Sequence, residues 1–327
     1  MQIDFITVLI AVIALMVLAV PGFILTKLKM LPENTGSALS TIVLYGCQPV
    51  LVFMSFQEKY RVDIALNMLY VAILSLVIHV VMFGLIALVI RNKSNSAKIK
   101  TVRYACLFSN CGYMGLPFLD VVFQGSGEII IYAAIVIAIF NILNWTLGIF
   151  MLTGDKSQIS LKKVLVNPTI LGIVIGAIYF FAVGTPIVDL VASNTVLDNL
   201  IEKVMASVDV IGDLVTPLAL TVIGIRLANV NLKALFVDKW AYIVSIMKLV
   251  LMSILTILVV AFLPFNPIVK YVMFFLLSMP SATSTTMFAI KFGGDGDSAS
   301  VFVLLTTILS IITIPLMYLL MSALVPM

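Results

Sequence analysis

The sequence predicts an all-α integral membrane protein with ten transmembrane helices. Of its 327 residues, 62% are apolar and only 10% are Asp, Glu, Lys or Arg, whereas about 25% of a soluble domain is charged. The mean hydropathy of +1.23 agrees, and this composition excludes a soluble enzyme and a disordered chain. Ten apolar runs have roughly the ~20 residues that a spanning helix needs. They cover residues 4–26, 36–56, 64–90, 101–123, 128–152, 164–183, 204–228, 240–263, 268–290 and 298–322.

The first run is interpreted as a span and not as a cleaved signal peptide, because it is too long and follows Asp4 instead of a basic segment. The loops after odd-numbered helices carry fourteen of the 19 Lys and Arg residues, against four after even-numbered helices. The positive-inside rule therefore predicts a multi-pass cell-membrane protein with odd-numbered loops in the cytoplasm and both termini outside. The basic loop 91–103 suits anionic lipid headgroups, and a net charge of +4 gives no reason to expect nucleic acid.

The two halves of the chain, 1–152 and 164–327, resemble each other at an offset of 168–169 residues. Pro49 in helix 2 then falls on Pro217 in helix 7, and Gly125 before helix 5 falls on Gly294 before helix 10. Each half has five spans, an odd number, so the second repeat must be inverted in the membrane. Inverted repeats with corresponding broken helices are typical of secondary transporters; chance similarity between apolar segments is the alternative.

Helices 4 and 9 carry the helix breakers that predict a substrate site. Glycine and proline interrupt helix 4 at 110–117, and a proline followed by five hydroxyl residues interrupts helix 9 at 279–286. If the breaks cross near mid-depth, the N-termini of two half-helices favour an anion such as a carboxylate. Packing kinks and hydroxyl bonds to i−4 carbonyls are the alternative. The candidate substrate-binding residues are Gln48, Asn110, Gly112, Tyr113, Gly115, Pro117, Pro280, Ser281, Thr283 and Ser284.

Three ionisable residues inside apolar segments are candidates for ion coupling. Asp213 in helix 7 is expected ~13 Å from the start of its span, as a proton-coupling group, as a carboxylate that helps to hold a cation, or as an acid paired with Lys248 or a hydroxyl. Lys248 in helix 8 is long enough to snorkel, and His79 in helix 3 is either a proton relay or a satisfied polar residue between helices. The three cysteines and one histidine lack metal-ligand spacing, so no metal or other cofactor is expected.

The segment 110–117, which reads Asn-Cys-Gly-Tyr-Met-Gly-Leu-Pro, resembles the signature of the auxin efflux carrier family. The glycine turn at 125–128, the segment 217–224, Met279-Pro280 and the segment 306–310 match it more weakly. The resemblance implies a fold similar to the sodium/bile-acid symporters, with crossed, broken helices 4 and 9. It also implies a scaffold or dimer domain of helices 1, 2, 6 and 7, a transport domain of helices 3, 4, 5, 8, 9 and 10, and a homodimer.

Bacterial members of that family are described as permeases for organic acids such as malate or malonate, and their substrate-binding asparagine corresponds to Asn110. We therefore expect a secondary carrier that moves a mono- or dicarboxylate by alternating access, coupled to H⁺ more readily than to Na⁺, because the symporters' sodium-site acids are not evident. A cation/proton antiporter should have acids within 110–117 or 279–286, and a non-transporting scaffold or sensor should have a soluble output domain. An enzyme is not expected, since no HExxH or GxSxG motif occurs. The anion and the direction stay open.

Overall fold

The computed structural model describes residues 3–91, 96–124, 126–191, 196–229, 235 and 237–326. Within these residues the chain is helical, and eight helices are long and apolar enough to cross a membrane. Gly125 and the basic residues Lys93 and Lys233, which entered the sequence predictions, lie outside the described residues.

The helices are labelled by the ten predicted spans, and interrupted spans are divided into halves a and b. Their bounds are α1 Phe5–Lys27, α2 Thr35–Ser55, α3 Val62–Val89, α4a Ala97–Leu107, α4b Cys111–Phe123, α5 Gly127–Thr153, α6 Pro168–Ala182, α7a Val196–Asp213, α7b Val215–Asn229, α8 Lys239–Ala261, α9a Pro267–Ser278, α9b Ser284–Lys291 and α10 Gly296–Leu324. Short helical turns at Lys156–Gln158, Leu161–Leu165 and Ile187–Val191 lie in the connections.

Short polar side chains start several helices at the ends of the apolar runs. Asp4 accepts from the amide of Thr7 at 2.6 Å, and Asn167 and Asn266 cap α6 and α9a immediately before a proline. These caps satisfy backbone donors that have no partner in the first helical turn, and proline at that position loses no helical bond. The polar residues that bound the apolar runs therefore fix where these helices begin.

The predicted start of helix 7 is wrong by eight residues. α7a begins at Val196 and includes the charged residues Asp198, Glu202 and Lys203. The sequence places these residues in a polar connection, 184–203, that has room for a separate surface helix, whereas in the structure they continue the span. Helix geometry continues past the apolar stretch because charged residues are compatible with an α-helix outside hydrocarbon. Hydropathy marks the part of a helix that suits lipid and not the full hydrogen-bonded element.

Glycines bring the backbones of α1 and α7b, and of α2 and α6, into direct contact. A Cβ atom placed on Gly22 would lie 2.2 Å from the carbonyl oxygen of Thr221, and one on Gly172 would lie 2.5 Å from that of Pro49. Only a residue without a side chain fits such a contact, as in small-residue interfaces between membrane helices. These contacts join helices 1 to 7 and 2 to 6 in pairs.

Candidate functional site

The two broken helices meet at their interruptions. Segment 108–110 of helix 4 and segment 279–283 of helix 9 lie between the helical halves, and Ser109 and Ser281 form an antiparallel β-bridge. The amide of Asn110 donates to the carbonyl of Pro280 at 2.8 Å, and the amide of Ala282 donates to that of Phe108 at 2.9 Å. We call these two segments the crossing. Each break supplies hydrogen-bond partners to the other, which unpaired backbone inside a membrane protein requires.

The break in helix 4 was predicted one turn too late. It occupies 108–110, whereas most of the predicted segment 110–117 is helical. The backbone carbonyl of Asn110 accepts from the amides of Met114 and Gly115 at 3.2 and 3.0 Å. Residues Cys111–Gly115 form a π-helical turn, and Pro117 lies in the first turn of the α-helix that follows. A proline in a first turn needs no intrahelical donor. The break in helix 9 likewise ends at Thr283, since α9b begins at Ser284 and not after residue 286.

Lys248 does not snorkel, contrary to one sequence-based interpretation, and it does not pair with Asp213. Its side chain is fully buried. Its ammonium group donates to Ser109 Oγ in the crossing and to the carbonyl of Leu277, 2.9 Å away, at the end of α9a. The carboxyl end of a helix carries partial negative charge that favours a cation. Lys248 therefore places a fixed amino group directly behind the crossing.

His79 is a buried polar residue between helices. Its Nδ1 lies 2.7 Å from the carbonyl oxygen of Ser75 in the preceding turn, and its ring centroid lies 6.5 Å from that of Phe108. The side chain has no accessible surface. Among the described residues no hydrogen-bond partner reaches its Nε2, so the ring is held from one side only.

One side of the crossing opens into a cavity of about 90 Å³, which we call the crossing cavity. Within the part of the chain that the structure describes, no charged side chain lines it. Amide, hydroxyl and aromatic side chains dominate instead, and its walls come from α2, α4, α5, the start of α6 and α9. The polar and aromatic residues that line it are Tyr45, Gln48, Ser109, Asn110, Tyr113, Phe140, Asn141, Asn144, Trp145, Asn167, Thr169, Thr283, Ser284 and Phe288.

Asn110 places an unused donor at this cavity. Its residue is only 2% exposed, and its Nδ2 has no hydrogen-bond partner among the described residues. Buried amide donors are nearly always paired, so an unpaired one in a cavity wall is suited to a ligand. The Asn144 amide is oriented similarly, because Tyr104 OH donates to its Oδ1 and leaves the NH₂ group for another acceptor.

Six of the ten predicted substrate-binding residues line the crossing cavity, namely Gln48, Asn110, Gly112, Tyr113, Thr283 and Ser284. The other four are part of the crossing or its packing. Ser281 donates to the carbonyl of Ala105 at 2.8 Å, Pro280 accepts from Asn110, and Gly115 packs against Leu276. Pro117 is buried within α4b, in the first turn of its α-helical part Leu116–Phe123.

The sequence interpretation missed several cavity residues. Asn144, Trp145 and Asn167 line the cavity, and Tyr104 orients the first of them. A signal was present, since Asn141 and Asn144 lie three residues apart on one face of α5. The contribution of Asn167, which precedes Pro168 and caps α6, depends on how α6 packs and has no local sequence signal.

Two larger cavities lie beyond the crossing. One of about 290 Å³ is lined by Glu58, Asp120, Asp209 and Asp213, with no cation among its described lining residues; we call it the acidic cavity. Asp213 thus contacts this cavity and not the crossing. The other, of about 530 Å³, is lined by α7b, α9b and α10, contains Arg226, and shares Thr283 with the crossing cavity; we call it the arginine cavity.

In the loop between α2 and α3, burial and the neighbouring Glu128 raise the pKa of Glu58, while Arg61 acts in the opposite direction. Arg61 pairs with Asp63 and lies 3.4 Å from a carboxylate oxygen of Glu128. These charges lie in the loop between α2 and α3 and at the start of α5, and Glu58 also lines the acidic cavity.

Long apolar helices around a buried polar crossing define a multi-pass membrane protein with a small polar cavity in its interior. The chain belongs to the membrane transport protein family, whose model matches residues 7–318, which confirms the resemblance to the auxin efflux carriers. This is a family of transporters and not of enzymes. A comparison with curated proteins found no match.

Proposed function

We propose that this protein is a secondary active transporter that moves a small organic anion, such as a mono- or dicarboxylate, by alternating access. The observation that carries the proposal is the unpaired Nδ2 donor of Asn110 in the wall of a neutral cavity. A carboxylate accepts several hydrogen bonds, and the NH₂ groups of Asn110 and Asn144 are oriented to supply two. The half-helices α4b and α9b begin beside them, and their N-termini favour negative charge.

Lys248 supports an anion in preference to a cation as cargo. Its amino group is bonded to Ser109, a residue of the cavity wall. When this amino group, which is bonded to Ser109, is protonated, it attracts a carboxylate and repels a metal cation, because Coulomb interactions are strong in a poorly solvated interior. We propose that Lys248 holds the crossing together in place of a bound sodium ion, so transport needs no Na⁺. His79, packed near Phe108, is a second candidate, besides Asp213, for a residue whose protonation is coupled to transport.

The cation/proton antiporter is the second candidate function, and the acidic cavity is the observation that favours it. Glu58, Asp120, Asp209 and Asp213 face one cavity, but none of them lines the crossing cavity. We propose that Asp213 belongs to a proton route that leads toward the outer side and does not bind the cargo. Nothing in the described residues of the crossing favours a role as a non-transporting scaffold or sensor.

The proposed transport cycle assumes ten spans, built from two inverted repeats, 1–152 and 164–327. In it helices 1, 2, 6 and 7 form a scaffold and a homodimer contact, and helices 3, 4, 5, 8, 9 and 10 move the crossing across a cell membrane with both termini outside. The glycine contacts of α1 with α7b and of α2 with α6 support a rigid scaffold. The lipid-facing apolar surface supports contact with membrane lipids.

The test is the variant Asn110→Ala in proteoliposomes. We expect loss of carboxylate counterflow with little change in thermal stability, because Nδ2 of Asn110 bonds no described residue. Losing one hydrogen bond to a charged ligand costs about 1.5–3 kcal/mol, or roughly 10–150-fold in affinity. The matched control is Asn67→Ala in α3, whose amide donates to Tyr132 OH at 3.0 Å. That variant should lose stability and keep its affinity. Normal counterflow by the Asn110 variant would refute the proposed site.

A further inference from the structure

We propose that the arginine cavity is a second anion site, in which the guanidinium group of Arg226 binds the substrate's carboxylate on its way to or from the crossing. This inference rests on the proposed function and adds a charged group to it, because the crossing cavity itself contains none among its described residues. The arginine cavity is lined mainly by hydroxyl and apolar residues around Arg226, and its one described carboxylate, Asp297, lies at the exposed end.

The geometry of Arg226 leaves its charge available. Its half-buried side chain donates one described hydrogen bond, from Nη1 to the carbonyl of Thr283 at 2.5 Å. A guanidinium has five N–H donors in a planar fork, so most of them can still bind a carboxylate, and the bidentate pairing is strong. Among the described residues, no carboxylate lies within 4 Å of Arg226.

The cavity extends from an exposed end to the crossing. Asn229 and Asp297 are exposed at one end, whereas Thr283 and Thr307 are only 3% and 2% exposed at the other. Thr283 lines both cavities and accepts the bond from Arg226. An anion held by Arg226 is therefore separated from the crossing cavity by the backbone of Thr283, and a shift of this bond would connect the two sites.

The acidic cavity has four described acids and no described cation in its lining, whereas the arginine cavity has one cation, Arg226, and one acid, Asp297, at its exposed end. The arginine cavity adjoins the end of α7b, which the loop charges predict to be cytoplasmic, while the acidic cavity adjoins the opposite side of the crossing. Asp120, Asp209 and Asp213 repel an anion there. Arg226 therefore favours capture of the anion from the cytoplasmic side. This difference also fits a carrier that releases its anion outward.

The experiment measures succinate and acetate binding to the purified full chain by titration calorimetry. Fluorescence of Trp145 serves as a local reporter of the crossing cavity, in a Trp240→Phe background that removes the only other tryptophan. Arg226→Gln should weaken binding of both acids at least about tenfold, since it removes a charged hydrogen-bond donor. Arg226→Lys should retain part of the affinity. The control Arg61→Gln removes an arginine that is already ion-paired at the outer end, and should bind as wild type.

A further variant serves if Arg226→Gln does not fold. Ser300→Asp adds a carboxylate to the wall of the same cavity and should also weaken binding, while Ser207→Asp on the exposed part of α7a should not. In Asn110→Ala, we expect weak, Arg226-dependent binding without a change in Trp145 fluorescence.

The outcomes separate the two proposals. If Asn110→Ala loses binding while Arg226→Gln and Ser300→Asp keep wild-type affinity, the arginine site is refuted and the crossing site stands. If the wild type binds neither acid, both proposals fail. If Arg61→Gln weakens acid binding as much as Arg226→Gln does, the loss is explained by the change in net charge, and the site at Arg226 is refuted.

Discussion

The contact between α1 and α7b makes Gly224 one of the least replaceable residues of the chain. A Cβ atom on Gly224 would lie 1.9 Å from the carbonyl oxygen of Ala19 and 2.9 Å from the amide nitrogen of Phe23. Ordinary contacts begin near 3.4 Å, so Gly224→Ala requires the two helices to separate by about 1.5 Å (3.4 minus 1.9) at this point. Both atoms belong to backbone, so no side chain can rotate away.

The expected loss of stability is at the upper end of overpacking, about 3 kcal/mol. A suitable control is Gly84→Ala in α3, where nothing lies within 4 Å of the added atom. Alanine is favoured over glycine inside a helix by roughly 0.5–1 kcal/mol, so this control should be neutral or slightly stabilised. The two substitutions add the same methyl group and should differ by about 3–4 kcal/mol in the free energy of unfolding.

The assay is reversible unfolding of both variants in one detergent, followed by far-UV circular dichroism. Gly224→Ala should unfold well before the wild type, and Gly84→Ala should unfold at or above it. Equal stability of the two variants would mean that α1 and α7b do not pack backbone to backbone, which would refute the reasoning from this contact.

Two further predictions concern the crossing cavity and the loop between α2 and α3. Tyr104→Phe removes the donor that orients Asn144, so carboxylate affinity measured by titration calorimetry should fall about fivefold, equivalent to about 1 kcal/mol. The control Tyr271→Phe loses a hydrogen bond to the carbonyl of Val325, far from the cavity, and should leave the affinity unchanged. Because burial and Glu128 raise the pKa of Glu58 in the folded protein, the folded state favours the protonated acid, and stability falls as pH rises from the unfolded to the folded pKa. Glu58→Gln should therefore reduce the stability lost between acidic and neutral pH, as measured by melting temperature; a wild-type pH profile in this variant would contradict the assignment.

Local sequence signals located most helices and the start of the break in helix 9. Apolar runs bounded by capping Asp or Asn residues mark the spans, and Pro280 marks the break in helix 9 because its ring cannot continue the helix. The position of the first break could not be obtained this way. Pro117 suggested a break at its own position, yet a π-helical turn at Cys111–Gly115 precedes it and the helix continues through it. The interruption comes earlier, at 108–110, where the backbone of helix 9 supplies hydrogen-bond partners.

The amino-acid sequence alone places this chain in a membrane, because hydropathy and the placement of Lys and Arg are properties of the chain and need no tertiary contacts. It also indicates that helices 4 and 9 are interrupted. The packing of the folded chain settles which donors face the crossing cavity and that the amino group of Lys248 is bonded to Ser109. It also decided that Asp213 lies with other acids. Those arrangements depend on packing between helices that are far apart in sequence, and a side chain's partner there is set by the rotation of each helix about its axis.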